Sequence, residues 1–188
     1  TAAEPGAYGS ADELLDDLRL IAGSLVANRG LHAGTYAVGR MIWRVRTFGF
    51  HLARLDVRQD SRAHDDALAV LLDDPAWAGR DATTRAAKLR PYANGEHQFG
   101  PCAEPMAEHL QAVFTALRDS RHRHGDAPTG LYVISMARSA ADVLAVLALA
   151  RRAGLENDAP PDVPLDIAPL FETVDDLQHA PATLQALL

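Results

Sequence analysis

The order of apolar and turn-forming segments predicts an α/β fold with a parallel sheet. Short apolar runs rich in β-branched residues alternate with helical patterns in the second half of the chain. The clearest unit is an apolar run at residues 131–135, a helix whose start is marked by Ser139 with Asp142, and a second run at residues 165–171. Two strands joined through a helix pair in parallel by a right-handed crossover. A final helix is predicted to begin at Thr173.

Two helices and a strand are predicted to open the chain. Ser10 and Glu13 form a capping-box pattern before apolar residues at helical spacing, and Gly30 is the predicted end of this helix. A second helix is predicted at residues 34–47 and a first strand at residues 51–57. About three core strands are visible in the whole sequence. Because a closed α/β barrel needs eight strands, such a barrel would be incomplete here.

The middle of the chain is predicted to alternate between helix and loop. Asp60 or Ser61 is expected to cap a helix after the first strand. Prolines and glycines predict a loop at residues 75–105, interrupted by a short helix near residues 82–89. A long helix is predicted at residues 103–123, with an apolar stripe that is expected to pack into a core.

Composition and charge exclude several classes of protein. The 188 residues are 48% apolar and carry a net charge of −7, without the basic face that is typical of nucleic-acid binders. No apolar run reaches the roughly 18 residues that span a bilayer, and no export signal follows the N-terminus. Cys102 is the single cysteine, which excludes an intrachain disulfide. We therefore expect a cytoplasmic protein, and Thr1 in place of Met suggests a chain processed or excised from a longer one.

Candidate site residues follow from the rule that parallel α/β folds place their sites at the carboxyl ends of strands. The rule selects Arg58, Arg138 and Glu172. Guanidinium groups bind phosphate or carboxylate, and a glutamate can bind a divalent cation. Structural alternatives stay open: Arg58 could pair with Asp56 or Asp60, Arg138 could be solvent exposed, and Glu172 could stabilise the start of the last helix.

Other chemical motifs are absent from the sequence. It contains no GxGxxG or GxxxxGK[ST] phosphate loop and no GxSxG nucleophile elbow. It also lacks HExxH and CxxC, which argues against the common zinc sites. These absences leave the strand-end residues as the leading candidates for chemistry.

Three segments of the sequence resemble phosphoenolpyruvate carboxylase. They are residues 47–61, which include RLDVRQDS, residues 132–146, which begin with YVISMARS, and residues 168–177, with the sequence APLFETVDDL. The three segments occur in the order in which the family carries them. The chain therefore resembles a central fragment of that enzyme, and the likeness implies part of a TIM-type (β/α)8 barrel that is rich in helices, with residues 1–48 as leading helices and residues 49–188 as alternating β/α units.

The resemblance also implies a reaction. Enzymes of this family join bicarbonate to phosphoenolpyruvate with Mg²⁺ or Mn²⁺ and release oxaloacetate and phosphate, which replenishes the tricarboxylic acid cycle. Bicarbonate attacks the phosphate to give carboxyphosphate and the enolate of pyruvate, and the enolate then captures carbon dioxide. The family is allosteric and usually homotetrameric, and no nucleic acid or membrane partner is expected.

The motifs shared with the family imply roles for individual residues of this chain. Glu172 matches the family's glutamate ligand of the divalent metal, and Arg58 matches a catalytic arginine that contacts phosphoenolpyruvate. Arg138 stands where relatives often have lysine, and its role is left open. Residues that neighbour Arg58 are expected to orient it: Arg54, Asp56 and Gln59.

Several parts of the family's machinery are absent from this chain. They are the TAHPTE-type histidine motif, the GRGGS-type glycine loop, and the aspartate that completes the metal site. The isolated chain is therefore expected to be inactive. Two alternatives remain: a standalone module that binds a phosphorylated or dicarboxylate ligand through Arg58 and Arg138, and an interaction domain that docks through the helix at residues 103–123.

Overall fold

Residues 6–157 and 162–187 are described by a computed structural model. Within them the chain forms seven α-helices, one short 3-10 helix (Trp77–Gly79) and three strands. The α-helices are α1 (Ala11–Ala27), α2 (Thr35–Phe48), α3 (Ser61–Leu71), α4 (Ala82–Ala93), α5 (Pro105–His124), α6 (Ala140–Arg152) and α7 (Val174–Gln185). The strands are β1 (Leu55–Asp60), β2 (Thr129–Ser135) and β3 (Ile167–Pro169). Among these described helices, none is both long enough and apolar enough to cross a bilayer.

The chain divides into two compact units. The first comprises Thr1–Arg54 with His124–Pro128, and the second comprises Leu55–Arg123 with Thr129–Leu188. All three strands belong to the second unit, which therefore contains every residue selected by the strand-end rule.

The first unit is built on the packing of α1 against α2. The Ser10 side chain accepts a hydrogen bond from the Glu13 N–H (3.2 Å), while the Glu13 carboxylate accepts one from the Gly9 N–H (2.8 Å). The predicted cap is thus confirmed, although Glu13 reaches one residue further back than a capping box requires. Helix α1 ends before the predicted Gly30, since Arg29 adopts a left-handed conformation with φ of 61°.

The second unit contains a parallel sheet in the order β1-β2-β3. Arg58 pairs with Val133 across the first two strands, and Ile134 pairs with Pro169 across the last two. The prediction of a helix-rich α/β fold with three parallel strands is confirmed. The carboxyl ends of all three strands consequently lie at one edge of the sheet.

Two strand boundaries differ from the prediction. Strand β1 begins at Leu55 rather than at His51, because Leu52 is left-handed (φ 70°) and its N–H bonds back to the Phe48 carbonyl. The apolar side chain of Leu52 therefore belongs to a turn and not to a strand. Strand β3 covers only Ile167–Pro169, shorter than the predicted run at residues 165–171.

Helix α4 confirms the predicted short helix near residues 82–89, which interrupts the predicted loop at residues 75–105. It runs one turn further than predicted, to Ala93, and Pro91 is accommodated in this last turn. Asp81 caps the helix by accepting from the Thr84 N–H at 2.9 Å. Extensive packing against α6 buries Leu89 completely, so tertiary contacts stabilise a helix whose local sequence signal is weak.

Helix α6 lies at the centre of the second unit. It begins with the predicted capping box of Ser139 and Asp142, and ten of its 13 residues are buried. Thr173 and Asp176 form a second capping box at α7, again as predicted for Thr173. The largest completely buried apolar side chains come from several elements of this unit: Trp77, Tyr132, Phe114, Leu68, Leu89 and Ile134.

Candidate functional site

The carboxyl ends of the three strands form an edge that we name the strand-end rim, consisting of Arg58, Asp60, Met136 and Glu172. Arg58 and Asp60 come from the end of β1, Met136 directly follows β2, and Glu172 follows β3. The parallel register places Asp60 opposite Ser135, one residue before Met136. Residues distant in sequence therefore meet because the strands run in the same direction.

Arg58 and Glu172 form a direct ion pair at this rim. The Arg58 Nη2 atom donates to Glu172 Oε1 at 2.8 Å, and the second carboxylate oxygen, Oε2, accepts from the Met136 N–H at 3.0 Å. The side chains are 59% and 31% exposed, respectively. Solvent and small solutes can therefore reach both charged groups.

Met136 adopts an unusual backbone conformation at the strand-end rim. Its φ of 56° is left-handed, which is unfavourable for a residue with a side chain. Its carbonyl accepts a hydrogen bond from the Ser61 hydroxyl at 2.9 Å, while the following N–H, of Ala137, donates to the Leu170 carbonyl at 3.2 Å. The turn after β2 is thus tied to both neighbouring strand ends.

The Asp60 side chain interacts with the first turn of α3, the helix that follows it. Its carboxylate accepts from the Arg62 N–H at 2.9 Å and forms an ion pair with the Arg62 side chain at 3.0 Å. The side-chain hydrogen bond from Arg62 is the main cause that lowers the pKa of Asp60 below its usual value. Asp60, and not the alternative Ser61, therefore caps α3, and its carboxylate stays ionised near neutral pH.

The residues expected to support Arg58 have structural contacts of different kinds. Asp56 Oδ1 accepts from the Leu131 N–H at 2.8 Å, where the register between β1 and β2 shifts. Gln59 lies within β1, and its backbone carbonyl accepts from the Ser135 hydroxyl at 3.2 Å. Arg54 directly precedes β1. Asp56 and Gln59 thus connect β1 to β2, and their expected role in orienting Arg58 stays a prediction.

A second group of charges, which we name the buried charge cluster, consists of Asp65, Arg85, Arg138 and Asp142. Arg85 Nη2 donates to Asp142 at 2.6 Å and Nη1 to Asp65 at 3.3 Å. Trp77 donates its indole N–H to Asp65 at 3.1 Å. Asp65, Arg85 and Asp142 are almost completely buried, and pairing offsets the cost of removing their charges from water.

Arg138 joins this cluster from the turn between β2 and α6. Its Nη2 atom donates to Asp65 at 2.7 Å and lies 3.5 Å from Asp142 Oδ1. Asp142 also accepts from the backbone N–H groups of Arg138 and Ser139, at 2.8 and 2.9 Å. The structure therefore ties Arg138 to two buried carboxylates, although its side chain is 44% exposed.

His64 and Tyr132 form a buried polar pair beside the cluster. A hydrogen bond of 2.8 Å joins His64 Nε2 to the Tyr132 hydroxyl, and the Nδ1 atom of His64 has no partner. Burial lowers the pKa of His64 to about 4, against the attraction of Asp142 and Asp65. Burial likewise raises the pKa of Tyr132. Both side chains are therefore neutral at physiological pH.

Sequence reasoning missed most of the buried charge cluster. Asp142 was recognised only as a helix cap, while Asp65 and Arg85 carried no local signal. Arg85 is 20 residues from Asp65 and 57 from Asp142. The only available sign was the presence of charged residues among the apolar positions of α3, α4 and α6.

The described residues do not form a complete metal site by themselves. Within residues 6–157 and 162–187, no group of three or more His, Cys, Asp or Glu side chains could hold an ion. Glu172 is nevertheless a suitable single ligand, since its carboxylate is partly exposed and oxygen is the donor that Mg²⁺ and Mn²⁺ prefer. A complete site would need further ligands in addition to Glu172.

Comparison with known proteins covers the whole chain. The family model described as phosphoenolpyruvate carboxylase matches residues 1–188. Phosphoenolpyruvate carboxylases of Xanthomonas oryzae pv. oryzae and Xanthomonas euvesicatoria pv. vesicatoria are each 57% identical to it over 183 residues, 97% of this chain and 20% of theirs. Phosphoenolpyruvate carboxylase 1 of Chlamydomonas reinhardtii is 34% identical over 188 residues, 98% of this chain and 19% of its own. The chain thus spans only 20% of the length of the first two relatives.

Proposed function

The chain belongs to the phosphoenolpyruvate carboxylase family, and we propose that it is part of an enzyme that joins bicarbonate to phosphoenolpyruvate to give oxaloacetate and phosphate. One observation supports the site: Arg58 and Glu172 meet at the carboxyl ends of parallel strands, where α/β enzymes bind their substrates. The agreement of the chain with its relatives over 97% of its length supports the activity.

Arg58 is proposed to bind the anionic substrate. Its planar guanidinium can donate two parallel hydrogen bonds to a phosphate or carboxylate. The ion pair with Glu172 uses only one of its terminal nitrogens, and the side chain is more than half exposed. A substrate anion can therefore share Arg58 without first breaking a buried contact.

Glu172 is proposed as one ligand of a divalent cation, Mg²⁺ or Mn²⁺. When bound, the cation would supply positive charge that stabilises the enolate and the transferring phosphoryl group. The Met136 N–H and the Arg58 guanidinium both donate to the Glu172 carboxylate, which fixes its orientation. This chain would contribute Glu172, and the remainder of the enzyme would contribute the other ligands.

The fold of the complete enzyme, its compartment and its oligomeric state are also proposed from the family to which the chain belongs. The three parallel strands and their helices would form part of a TIM-type barrel, which the rest of the polypeptide would close. The full-length enzyme would act in the cytoplasm as an allosteric homotetramer that supplies the tricarboxylic acid cycle. The isolated chain would be inactive, because it holds one metal ligand and one substrate arginine.

The alternative functions gain no specific support. A binding module was expected to use Arg58 and Arg138 together, but the Arg138 guanidinium is engaged by Asp65. An interaction domain was expected to dock through the helix at residues 103–123. The apolar residues Leu110 and Phe114 of this helix are buried within the second unit, so they cannot form a docking face.

Substitution of Glu172 by glutamine in the full-length enzyme tests the proposed function. The amide keeps the size of the side chain and one of its two hydrogen-bond acceptors but loses the negative charge that binds the cation. We expect kcat/KM to fall by about 100-fold or more, at the upper end of the effects seen around metal sites, and the Mn²⁺ requirement to rise. Both are measured by steady-state kinetics at several Mn²⁺ concentrations.

Glu156→Gln is the matched control. Glu156 is 44% exposed and pairs with Arg151 at 2.6 Å, so it repeats the arginine–glutamate arrangement away from the strand-end rim. The control should retain its activity and metal requirement within about twofold, as surface ion pairs contribute little. Equal activity of the Glu172→Gln and Glu156→Gln enzymes would contradict the proposed role of Glu172.

A further inference from the structure

Ser61 occupies a position that its helix does not require. It is the first residue of α3 and only 1% exposed, yet Asp60 already caps that helix through its carboxylate. The Ser61 hydroxyl instead donates to the Met136 carbonyl at 2.9 Å, across 75 residues of sequence. The hydroxyl therefore joins the end of β1 to the turn that follows β2.

This turn is the part of the backbone that orients Glu172. The Met136 N–H donates to Glu172 Oε2 at 3.0 Å, and Met136 is left-handed with φ of 56°. Such a conformation costs about 1–2 kcal/mol for a residue with a side chain, so its surroundings must hold it in place. The peptide group after Met136 is held on both sides, by Ser61 at its carbonyl and by Leu170 at its N–H.

We propose that Ser61 is a positioning residue for Glu172 and acts through the Met136 backbone. The proposal rests on the proposed function, in which Glu172 binds the divalent cation. Loss of the hydroxyl would let the turn relax toward an ordinary conformation and rotate the Met136 N–H away from Oε2. Glu172 would then be oriented by Arg58 alone, whose side chain is the most exposed contact of the group.

The effect of Ser61 on the carboxylate can be separated from its effect on folding. Alanine is at least as good a helix former as serine, so Ser61→Ala leaves α3 intact. Ser135→Ala is the matched control, because Ser135 is also buried and donates to a backbone carbonyl of the neighbouring strand, that of Gln59, at 3.2 Å. The Ser135 hydroxyl contacts neither the Met136 carbonyl nor Glu172 in the described hydrogen bonds.

The experiment measures Mn²⁺ binding to the full-length enzyme without substrate, by electron paramagnetic resonance of the free ion. We expect Ser61→Ala to weaken Mn²⁺ binding by about 3- to 10-fold, the range of one net hydrogen bond, and Ser135→Ala to change it by less than about twofold. Both variants should have similar thermal unfolding temperatures. Ser61→Cys, which keeps the size but has a weaker donor, should give a smaller change in the same direction, and it serves as the test if Ser61→Ala does not fold.

A double-mutant cycle on kcat/KM shows whether Ser61 acts through Glu172. The loss caused by Ser61→Ala should largely disappear in the Glu172→Gln background, since the carboxylate that Ser61 positions is then absent. An equal loss in both backgrounds would overturn the inference. So would unchanged Mn²⁺ binding in Ser61→Ala when Glu172→Gln still weakens it, and that result would leave the proposed function standing.

Discussion

The strand-end rim and the buried charge cluster place the same chemical groups in opposite environments. Both consist of arginine–carboxylate pairs in the second compact unit. At the rim the Arg58 side chain is 59% exposed, whereas in the cluster the Arg85 side chain is 5% exposed. An exposed pair can exchange its partner for a ligand at little cost, while a buried pair must stay together. The rim is therefore suited to binding and the cluster to holding secondary-structure elements in place.

The cluster connects the helices around the sheet to the turn that borders the rim. Asp65 lies on α3, Arg85 on α4 and Asp142 on α6. Asp142 also fixes the N–H groups of Arg138 and Ser139, which lie just after Met136. The rim can therefore remain open to solvent, because buried charges anchor the turn beside it.

The largest effect is expected for Arg85→Ala in the full-length enzyme. Its removal leaves Asp142 and Asp65 buried with only Arg138 as a charged partner, which costs about 3–5 kcal/mol for a buried pair. The measurement is the opening free energy of α4 and α6 amides by hydrogen exchange. Arg19→Ala is the control, because Arg19 pairs with Asp16 on an exposed face of α1. Equal losses in the two variants would refute the distinction between buried and exposed pairs.

A pH-dependent effect is expected from His64, beside the cluster. Its pKa in the folded protein is about 4, below the ordinary value of 6.5. Since the unfolded chain binds a proton at His64 between pH 6.5 and 4 and the folded chain does not, stability is fully present above pH 6.5 and falls as the pH drops toward 4. The loss should approach about 3 kcal/mol at pH 4.

Hydrogen exchange of the α3 amides between pH 7 and pH 4, corrected for intrinsic exchange rates, measures this loss. His64→Gln should flatten the dependence by about one proton. The substitution also lowers stability at pH 7, so the slope with pH and not the absolute value is compared. An unchanged slope would show that another group titrates in this interval.

The smallest effect on stability is expected at the rim. Arg58→Ala in the full-length enzyme should change the opening free energy of β1 and β2 amides by less than about 1 kcal/mol, because its ion pair is exposed. The same variant should lose substrate binding, seen as a rise in KM for phosphoenolpyruvate. A stability loss as large as that of Arg85→Ala would mean that the rim is structural and would weaken its assignment as a site.

The β2–α6–β3 unit could be predicted from the sequence because its signals are local. An apolar, β-branched run defines β2, and the Ser139–Asp142 capping box fixes the start of α6 within one turn of the chain. Thr173 gives the same information for α7. Boundaries that depend on a single backbone angle were not predictable, as the left-handed Leu52 and the later start of β1 demonstrate.

The last turn of helix α4, at residues 90–93, shows why other parts could not be predicted. Pro91 and the polar residues around it indicate a loop, but burial of Leu89 against α6 outweighs this local preference. The candidate site likewise contains residues that local signals identify and contacts that they do not. Arg58 and Glu172 are selected from strand ends and motifs, whereas the pairing of Arg138 with Asp65 depends on a contact across 73 residues. Only the folded chain reveals that partner.

The register between β1 and β2 shifts at Asp56, which makes the number of residues in β1 as important as their identity. The Asp56 carboxylate accepts a hydrogen bond from the Leu131 N–H. A side chain at position 130 would lie 2.1 Å from this carboxylate, so Gly130 cannot be replaced by a larger residue while Asp56 keeps its position. Side chains alternate between the two faces of a strand. Deleting one residue before Arg58 would invert this parity and present Gln59 where Arg58 now meets Glu172. A deletion of one residue in β1 should therefore abolish the contact between Arg58 and Glu172, although the sequence would still contain both residues.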